Sequence, residues 1–273
     1  MTYPALTPGG SLVVAWQLRG RRVLLVGGGD VAAGRLFHLK NADAHVTVLC
    51  PPEGLCAEMK HRMDVDHAVD TYIPEVYSSE SQLESGSYDM VLTAIDDADL
   101  SRAICQWCRA RRIPVNVADV PPECDFYFGS VLRRGALQVM VSTGGKGPRL
   151  ARQIRQRLEA ALPENVGDAI ERVGALRSAL RRVAPEARDS GKRMQWMTDV
   201  CEAWSMDELA RLDDAAIDRL LAGWPTNQVP TYREVYGASV RWALPSARDW
   251  LSFALGASSV AIAALWFTRR TNI

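Results

Sequence analysis

Three groups of residues in this sequence are candidates for a binding or catalytic site. The first is Gly27-Gly28-Gly29-Asp30-Val31-Ala32, which follows a β-branched and leucine-rich run from Arg22 and opens a stretch of helical period. It satisfies G-x-G-x-x-A. Gly27 would make the tight turn, Gly29 would let backbone approach a pyrophosphate, and Ala32 replaces the third glycine at the helix–sheet contact. The helix N-terminus would then offer unpaired N–H groups to phosphates. That chemistry is dinucleotide binding. The usual ribose carboxylate falls about twenty residues later; the tip there is Cys50-Pro51-Pro52-Glu53, with Glu53 slightly late and no arginine to meet a 2′-phosphate, which favours NAD over NADP.

The second group is a carboxylate. Asp119, in NVADVPPECDFYF, falls at the end of the fifth apolar run, the edge where open α/β sheets place ligand-contacting residues. It suits acid or base work. Its rivals are Asp96, Asp97, Glu123 and Asp125, of which Asp97, just before a helix, reads as a cap.

The third group is basic. Between Asp125 and Glu159 no acidic residue occurs, against Arg133, Arg134, Lys146, Arg149, Arg152, Arg155 and Arg157. In a chain with 32 Lys plus Arg and 32 Asp plus Glu, that local imbalance asks for an anion, and a ligand with several carboxylates suits it. Ser142-Thr143-Gly144-Gly145-Lys146-Gly147-Pro148 adds hydroxyls, pliant backbone and a proline at a helix start. The bland alternative is a solvated basic helix face.

The elements that must position these groups alternate between strand and helix. Apolar runs at Arg22, His45–Cys50, Val69–Ile73, Tyr88–Ile95 and Pro114–Ala118 enclose helical stretches after Gly29, around Glu53–Arg62 and at Asp97–Arg112. Five strands with helical crossovers predict a doubly wound, Rossmann-type α/β domain over residues 1–122. FYFGSVL and ALQVMVS, joined by Arg133-Arg134-Gly135 without a crossover helix, predict an antiparallel β module within 123–160. Leu150, Ile154, Leu158 and Leu162 open a helical region that extends over 161–224, and Pro225, Pro230 and Pro245 mark an irregular connector in 225–273.

Neutral net charge gives no reason to expect nucleic acid as a partner. Six scattered cysteines and a start without a basic and then apolar leader predict reduced thiols and a cytoplasmic protein. Cys105-x-x-Cys108 has no second pair to complete a zinc site, and His38, His45, His61 and His67 form no ligand pattern, so no dedicated metal site is expected. The uncharged segment 250–268, closed by Arg269 and Arg270, has two readings: a tail anchor on a membrane facing the cytosol, or a buried amphipathic helix.

The ordered set VAWQLRGRRVLLVGGGDVAAGR, TAIDD, NVADVPPECDFYFGSVL and VMVSTGGKGPRLARQIRQRLE resembles the siroheme synthase family, most closely its fungal bifunctional type, over roughly Ser11 to Trp224. The resemblance implies NAD-dependent oxidation of precorrin-2 to sirohydrochlorin, then insertion of ferrous iron, as a substrate, to give siroheme. It implies one site in a homodimer joined through the central segment. The aspartate of the family's N-V-x-D motif falls on Asp119, with a role in both reactions. Cofactor contacts map onto Gly27, Gly28, Gly29, Asp30 and Val31, onto Cys50, Pro51 and Pro52, and onto Ala94 and Asp96. Substrate contacts are expected from Asn116, from Ser142, Thr143, Gly144 and Lys146, and from Arg149. Precorrin-2 is an octacarboxylate tetrapyrrole, which would account for the basic stretch. Two other readings stay open: a precorrin-2 dehydrogenase without chelatase activity, and an NAD-responsive binding protein that kept the fold and lost the chemistry.

Overall fold

The computed structural model describes residues 3–84 and 86–237. Strands β1 (Arg22–Val26), β2 (His45–Leu49), β3 (Thr71–Ile73), β4 (Met90–Thr93) and β5 (Val115–Val117) form one parallel sheet in the order β3-β2-β1-β4-β5. The order reverses between β1 and β4, which makes their carboxyl ends the topological switch point. There Val26 stands opposite both Leu49 and Thr93.

These strands are apolar on both faces because helices cover both. On one side α1 (Asp30–Lys40) and α2 (Ala57–Asp64) bring Ala32, Leu36, Leu39 and Met59 against Val23, Leu25, Val46 and Val48. On the other, α3 (Ser81–Glu84) and α4 (Ala98–Ala110) bring Leu83, Ile104, Cys105 and Cys108 against Leu24, Val26, Val91 and Val115. This is the doubly wound α/β arrangement the alternating runs imply.

Two boundaries differ from the sequence reading for local reasons. β4 is shorter than Tyr88–Ile95. At one end the Asp89 carboxylate accepts from the Arg22 N–H at 2.9 Å and from Arg21 at 3.0 Å, and at the other the chain leaves the ladder at Ala94. α2 starts at Ala57 rather than near Glu53, because Pro52–Gly54 forms a separate 3-10 turn and Cys56 Sγ caps the helix by accepting from Met59 N at 3.4 Å.

Beyond the sheet, β6 (Ser130–Arg134) and β7 (Leu137–Val141) pair as a two-stranded hairpin, turned at Gly135 in the left-handed region. α5 (Pro148–Ala161) follows, then α6 (Val166–Val183), α7 (Ser190–Ala203), α8 (Met206–Ala210), α9 (Asp214–Leu221) and α10 (Tyr232–Tyr236). The chain divides into two compact units. Among the described residues, one holds 3–84 and 86–131 with Met140–Arg157; the other holds Leu132–Val139 with 158–237.

The second unit is centred on Leu176, Leu180, Trp196, Val200, Trp204, Ile217 and Leu220. It extends past Trp224, where the sequence reading placed its end. The buried indole N–H groups need acceptors, and they find them in the connector: Trp196 Nε1 donates to the Gln228 carbonyl at 2.9 Å and Trp204 Nε1 to that of Pro230 at 3.0 Å. Those bonds draw α10 in, so that Val235 is buried. Among the described residues no helix is long and apolar enough to cross a membrane; the segment 250–268 lies outside them.

Candidate active site

Three loops meet at the switch point. Gly27, at φ +113°, donates its N–H to the Leu49 carbonyl at 2.9 Å, and a Cβ built on it would stand 2.2 Å from the Ala94 carbonyl oxygen. Only glycine fits there, by dihedral and by space. A Cβ on Gly28 would stand 2.7 Å from Cys50 Sγ, and the Gly28 carbonyl accepts from Cys56 N at 2.9 Å. The turn after β1, the tip of β2 and the tip of β4 are therefore in contact. Gly27, Gly28, Cys50 and Ala94 touch one another's loops, with Pro51, Pro52 and Asp96 in the same three tips. Burial holds the Cys50 thiol above its ordinary pKa, with Glu53 and Cys56 adding to the shift.

Gly29 differs from its neighbours. It occupies the N-cap position of α1 at φ −75°, no side chain caps that helix, and a Cβ on it would meet nothing within 4 Å. Among the described residues no backbone bond takes up the first-turn N–H groups of Asp30, Val31 and Ala32, and Asp30 and Val31 are exposed. The close contacts lie at Gly27 and Gly28 and the room at Gly29, where a pyrophosphate would lie if the turn binds a dinucleotide. Gly29→Asp is accordingly expected to melt like wild type while its NAD dissociation constant rises at least about tenfold, from a carboxylate set against phosphate. A calorimetric titration giving wild-type NAD affinity would refute the placement.

Asp119 lies two residues beyond β5 at φ +58°, in the left-handed region that Asp tolerates better than most residues. The following loop is stitched back to β5. Asn116 Nδ2 donates to the Phe126 carbonyl at 2.8 Å, Asp125 Oδ2 accepts from Val115 N at 3.0 Å, Cys124 Sγ donates to the Val117 carbonyl at 3.0 Å, and Tyr127 Oη donates to that of Pro121 at 3.1 Å. These bonds hold the strained residue. The rival carboxylates are occupied: Asp97 caps α4 through Asp99 N and Leu100 N, and Glu123 pairs with Arg109 at 2.9 Å. Asp96 is exposed at the tip of β4. Among the described residues nothing hydrogen-bonds the Asp119 carboxylate.

A cavity of about 390 Å³ opens over this loop. Asn116 and Asp119 line it, as do Ser142, Thr143 and Gly145 from the turn before α5. The turn uses its own hydroxyls: Ser142 Oγ accepts from Gly144 N at 3.3 Å and Thr143 Oγ1 from Gly147 N at 3.2 Å. Gly144, Lys146 and Arg149 do not line the cavity; all three are exposed. Among the described residues, none of Arg133, Arg134, Lys146, Arg149, Arg152, Arg155 and Arg157 lines this cavity. Arg134 instead binds the carbonyls of Leu162 and Pro163 at 2.9 and 2.8 Å.

The cation that does line the cavity is Arg35, from the middle of α1, and sequence reasoning passed over it. A signal was available: a basic residue set among Ala32, Leu36 and Leu39, the buried face of an amphipathic helix. Elsewhere, burial pushes Cys105 and Cys108 up to about 12 each, so that pair stays protonated and unreactive near neutrality.

Residues 14–130 match a family model described as putative NAD(P)-binding, residues 134–161 the sirohaem biosynthesis protein central model, and residues 163–230 its C-terminal counterpart. The siroheme biosynthesis protein met8 of Schizosaccharomyces pombe is 49% identical over 236 residues, covering 85% of this chain and 86% of that one. The siroheme synthase of Methylococcus capsulatus is 35% identical over 65% of this chain, which spans only 36% of that longer protein. Among solved structures, SirC, a precorrin-2 dehydrogenase, superposes at a TM-score of 0.58 with 20% identity, covering 79% of this chain and 100% of that one; it speaks for the fold.

Proposed function

The chain belongs to the siroheme synthase family, and from that premise we propose that it oxidises precorrin-2 to sirohydrochlorin with NAD and then inserts ferrous iron to form siroheme. The observation that carries the reading is Asp119. It is an exposed carboxylate without a hydrogen-bond partner among the described residues, held in the left-handed region on the lining of an open cavity, on the same sheet edge as an uncapped glycine turn.

The residues present fit the dinucleotide: Gly27 to Val31 would hold the pyrophosphate on the α1 N-terminus, between the tips of β2 and β4. NAD, when bound, supplies the acceptor for the electron pair and one hydrogen nucleus of the oxidation. The second hydrogen leaves the macrocycle as a proton, and Asp119 accepts it. In the chelation, ferrous iron displaces two protons from pyrrole nitrogens. Asp119 again takes protons as they are released, so one carboxylate serves both steps. Asn116 keeps that base in place by tying the 118–128 loop to β5.

The test is an anaerobic assay of purified protein with precorrin-2 and NAD, following NADH fluorescence, then adding ferrous iron and following the tetrapyrrole absorbance. NADH followed by the metallated spectrum, faster than a blank, is the expected result. NADH alone leaves a dehydrogenase that needs a separate chelatase, and NAD binding without either signal leaves a binding protein.

The protein acts as a homodimer in this reading. α5 presents Leu150, Ile154 and Leu158 on one stripe at 55%, 37% and 41% exposure, and Val131 and Met140 of the hairpin are also exposed. A second copy covering this stripe removes the apolar area from water. Ile154→Glu is expected to convert the dimer to a monomer in sedimentation equilibrium; a wild-type protein that sediments as a monomer would overturn the reading.

A further inference from the structure

Neither the glycine turn nor the family match gives Arg35 a task, yet its surroundings are unusual for an arginine. It leaves α1 among buried Ala32, Leu36 and Leu39, and its guanidinium carbon stands 4.0 Å from the centroid of the Phe128 ring. Its Nε is shut away from solvent and donates to nothing. Among the described residues no hydrogen bond or ion pair meets any of its five N–H donors. Burial lowers its pKa from the ordinary value, and the Cys124 and Asp119 groups facing it act in the opposite sense. His38, one turn on, is held below its ordinary pKa by burial and then by the Arg35 charge.

A buried N–H donor such as this Nε is costly without an acceptor, so such donors are normally found paired; the side chain as a whole is half-buried, which leaves the outer nitrogens of the fork open to the cavity. Asp119 is near enough to act on Arg35 electrostatically but makes no ion pair with it. The chain's own carboxylate therefore leaves the fork free. The Phe128 ring backs the guanidinium at 4.0 Å, and a planar fork matches a carboxylate through two parallel hydrogen bonds. The fork lines the same cavity as Asp119, Asn116, Ser142 and Thr143.

We infer that Arg35 receives a carboxylate of the tetrapyrrole substrate and so determines which edge of the macrocycle faces Asp119. This rests on the substrate class proposed above. A side-chain carboxylate on the macrocycle rim would be clamped by Arg35 while the ring lies across the cavity, leaving the nearby carbon or nitrogen to Asp119. Arg35 is a specificity-determining residue in this role; it moves no proton.

The experiment uses the full chain with Arg35→Met, which keeps an apolar stem against Phe128, and Arg35→Gln. Binding of sirohydrochlorin is read by anaerobic absorbance titration, binding of its octamethyl ester likewise, NAD affinity by calorimetry, and folding by melting. Sirohydrochlorin binding should weaken about 10- to 100-fold, the range for losing charge-assisted hydrogen bonds. KM for precorrin-2 should rise more than kcat falls. The octamethyl ester should bind wild type and variants alike, and NAD affinity and melting should match wild type. A structural role for Arg35 would shift melting and ester binding as well, and a loss confined to NAD affinity would assign the fork to the cofactor; either overturns the inference, as does unchanged sirohydrochlorin affinity. If Arg35→Met does not fold, Arg35→Gln carries the same comparisons. Wild type that binds no sirohydrochlorin at all would instead sink the functional reading itself.

Discussion

Asp119→Asn is expected to turn over precorrin-2 about 10²- to 10⁴-fold more slowly than wild type, the usual range for losing a general base, while binding NAD and melting as wild type does. Asparagine is the informative substitution because the residue sits at φ +58°. Asn and Asp tolerate the left-handed region, whereas alanine would add backbone strain and confuse lost chemistry with a displaced loop. The amide keeps the size of the carboxylate and cannot accept the proton. Iron insertion should slow in the same variant, since two pyrrole protons must leave and among the described residues no other carboxylate lines the cavity. Stopped-flow and steady-state NADH fluorescence read the first effect, and absorbance of the metallated tetrapyrrole reads the second. Turnover within a few-fold of wild type would remove Asp119 from the chemistry.

Gly27→Ala is expected to destabilise the first unit by at least about 3 kcal/mol and to abolish NAD binding. The magnitude combines two costs: a non-glycine residue in an unfavourable φ region, of order 1–3 kcal/mol, and displacement of neighbouring backbone. The added Cβ would stand 2.2 Å from the Ala94 carbonyl oxygen and 2.8 Å from its carbon, so β1 and β4 must part at the switch point. The unit is identified in a thermal scan as the transition that NAD raises in wild type. It should fall by roughly 6–12 °C, given about 2–4 °C per kcal/mol in a protein of this size. Gly29→Ala is the control, because its Cβ points into open space and its φ is ordinary. Equal melting of the two variants would show that the turn does not need glycine for the reason given.

The glycine turn and the sheet were legible in the sequence because the forces that make them are local or periodic. A strand buried on both faces must be apolar throughout, and Arg22–Val26, His45–Leu49 and Met90–Thr93 are nearly so. A helix must repeat every 3.6 residues, and a tight turn into a helix must hold glycine. What blurred was the ends of elements. Asp89 capturing the Arg22 N–H, and Cys56 capping α2, depend on single hydrogen bonds that composition does not announce. The continuation to α10 was missed for a similar reason: prolines signal a connector, but two buried indoles need its carbonyls.

For the candidate site, the glycine turn and the position of Asp119 at a strand's carboxyl end were readable from the residues alone, and the family resemblance proposed a ligand class. Which cation lines the cavity beside that aspartate follows from long-range packing. A run of arginines in sequence says how much positive charge is near, but where each side chain points depends on the face of the element it leaves and on what the fold sets opposite. Lys146 and Arg149 stand outside the cavity lining and Arg134 is bound to backbone carbonyls, whereas Arg35, some eighty residues before Asp119 and on a different element, is turned inward by the packing of α1 and Phe128. The left-handed backbone of Asp119 is likewise a product of long-range closure. It persists because Asn116, Cys124 and Asp125 tie the loop to β5, and such over-determination arises from contacts, which no local pattern encodes.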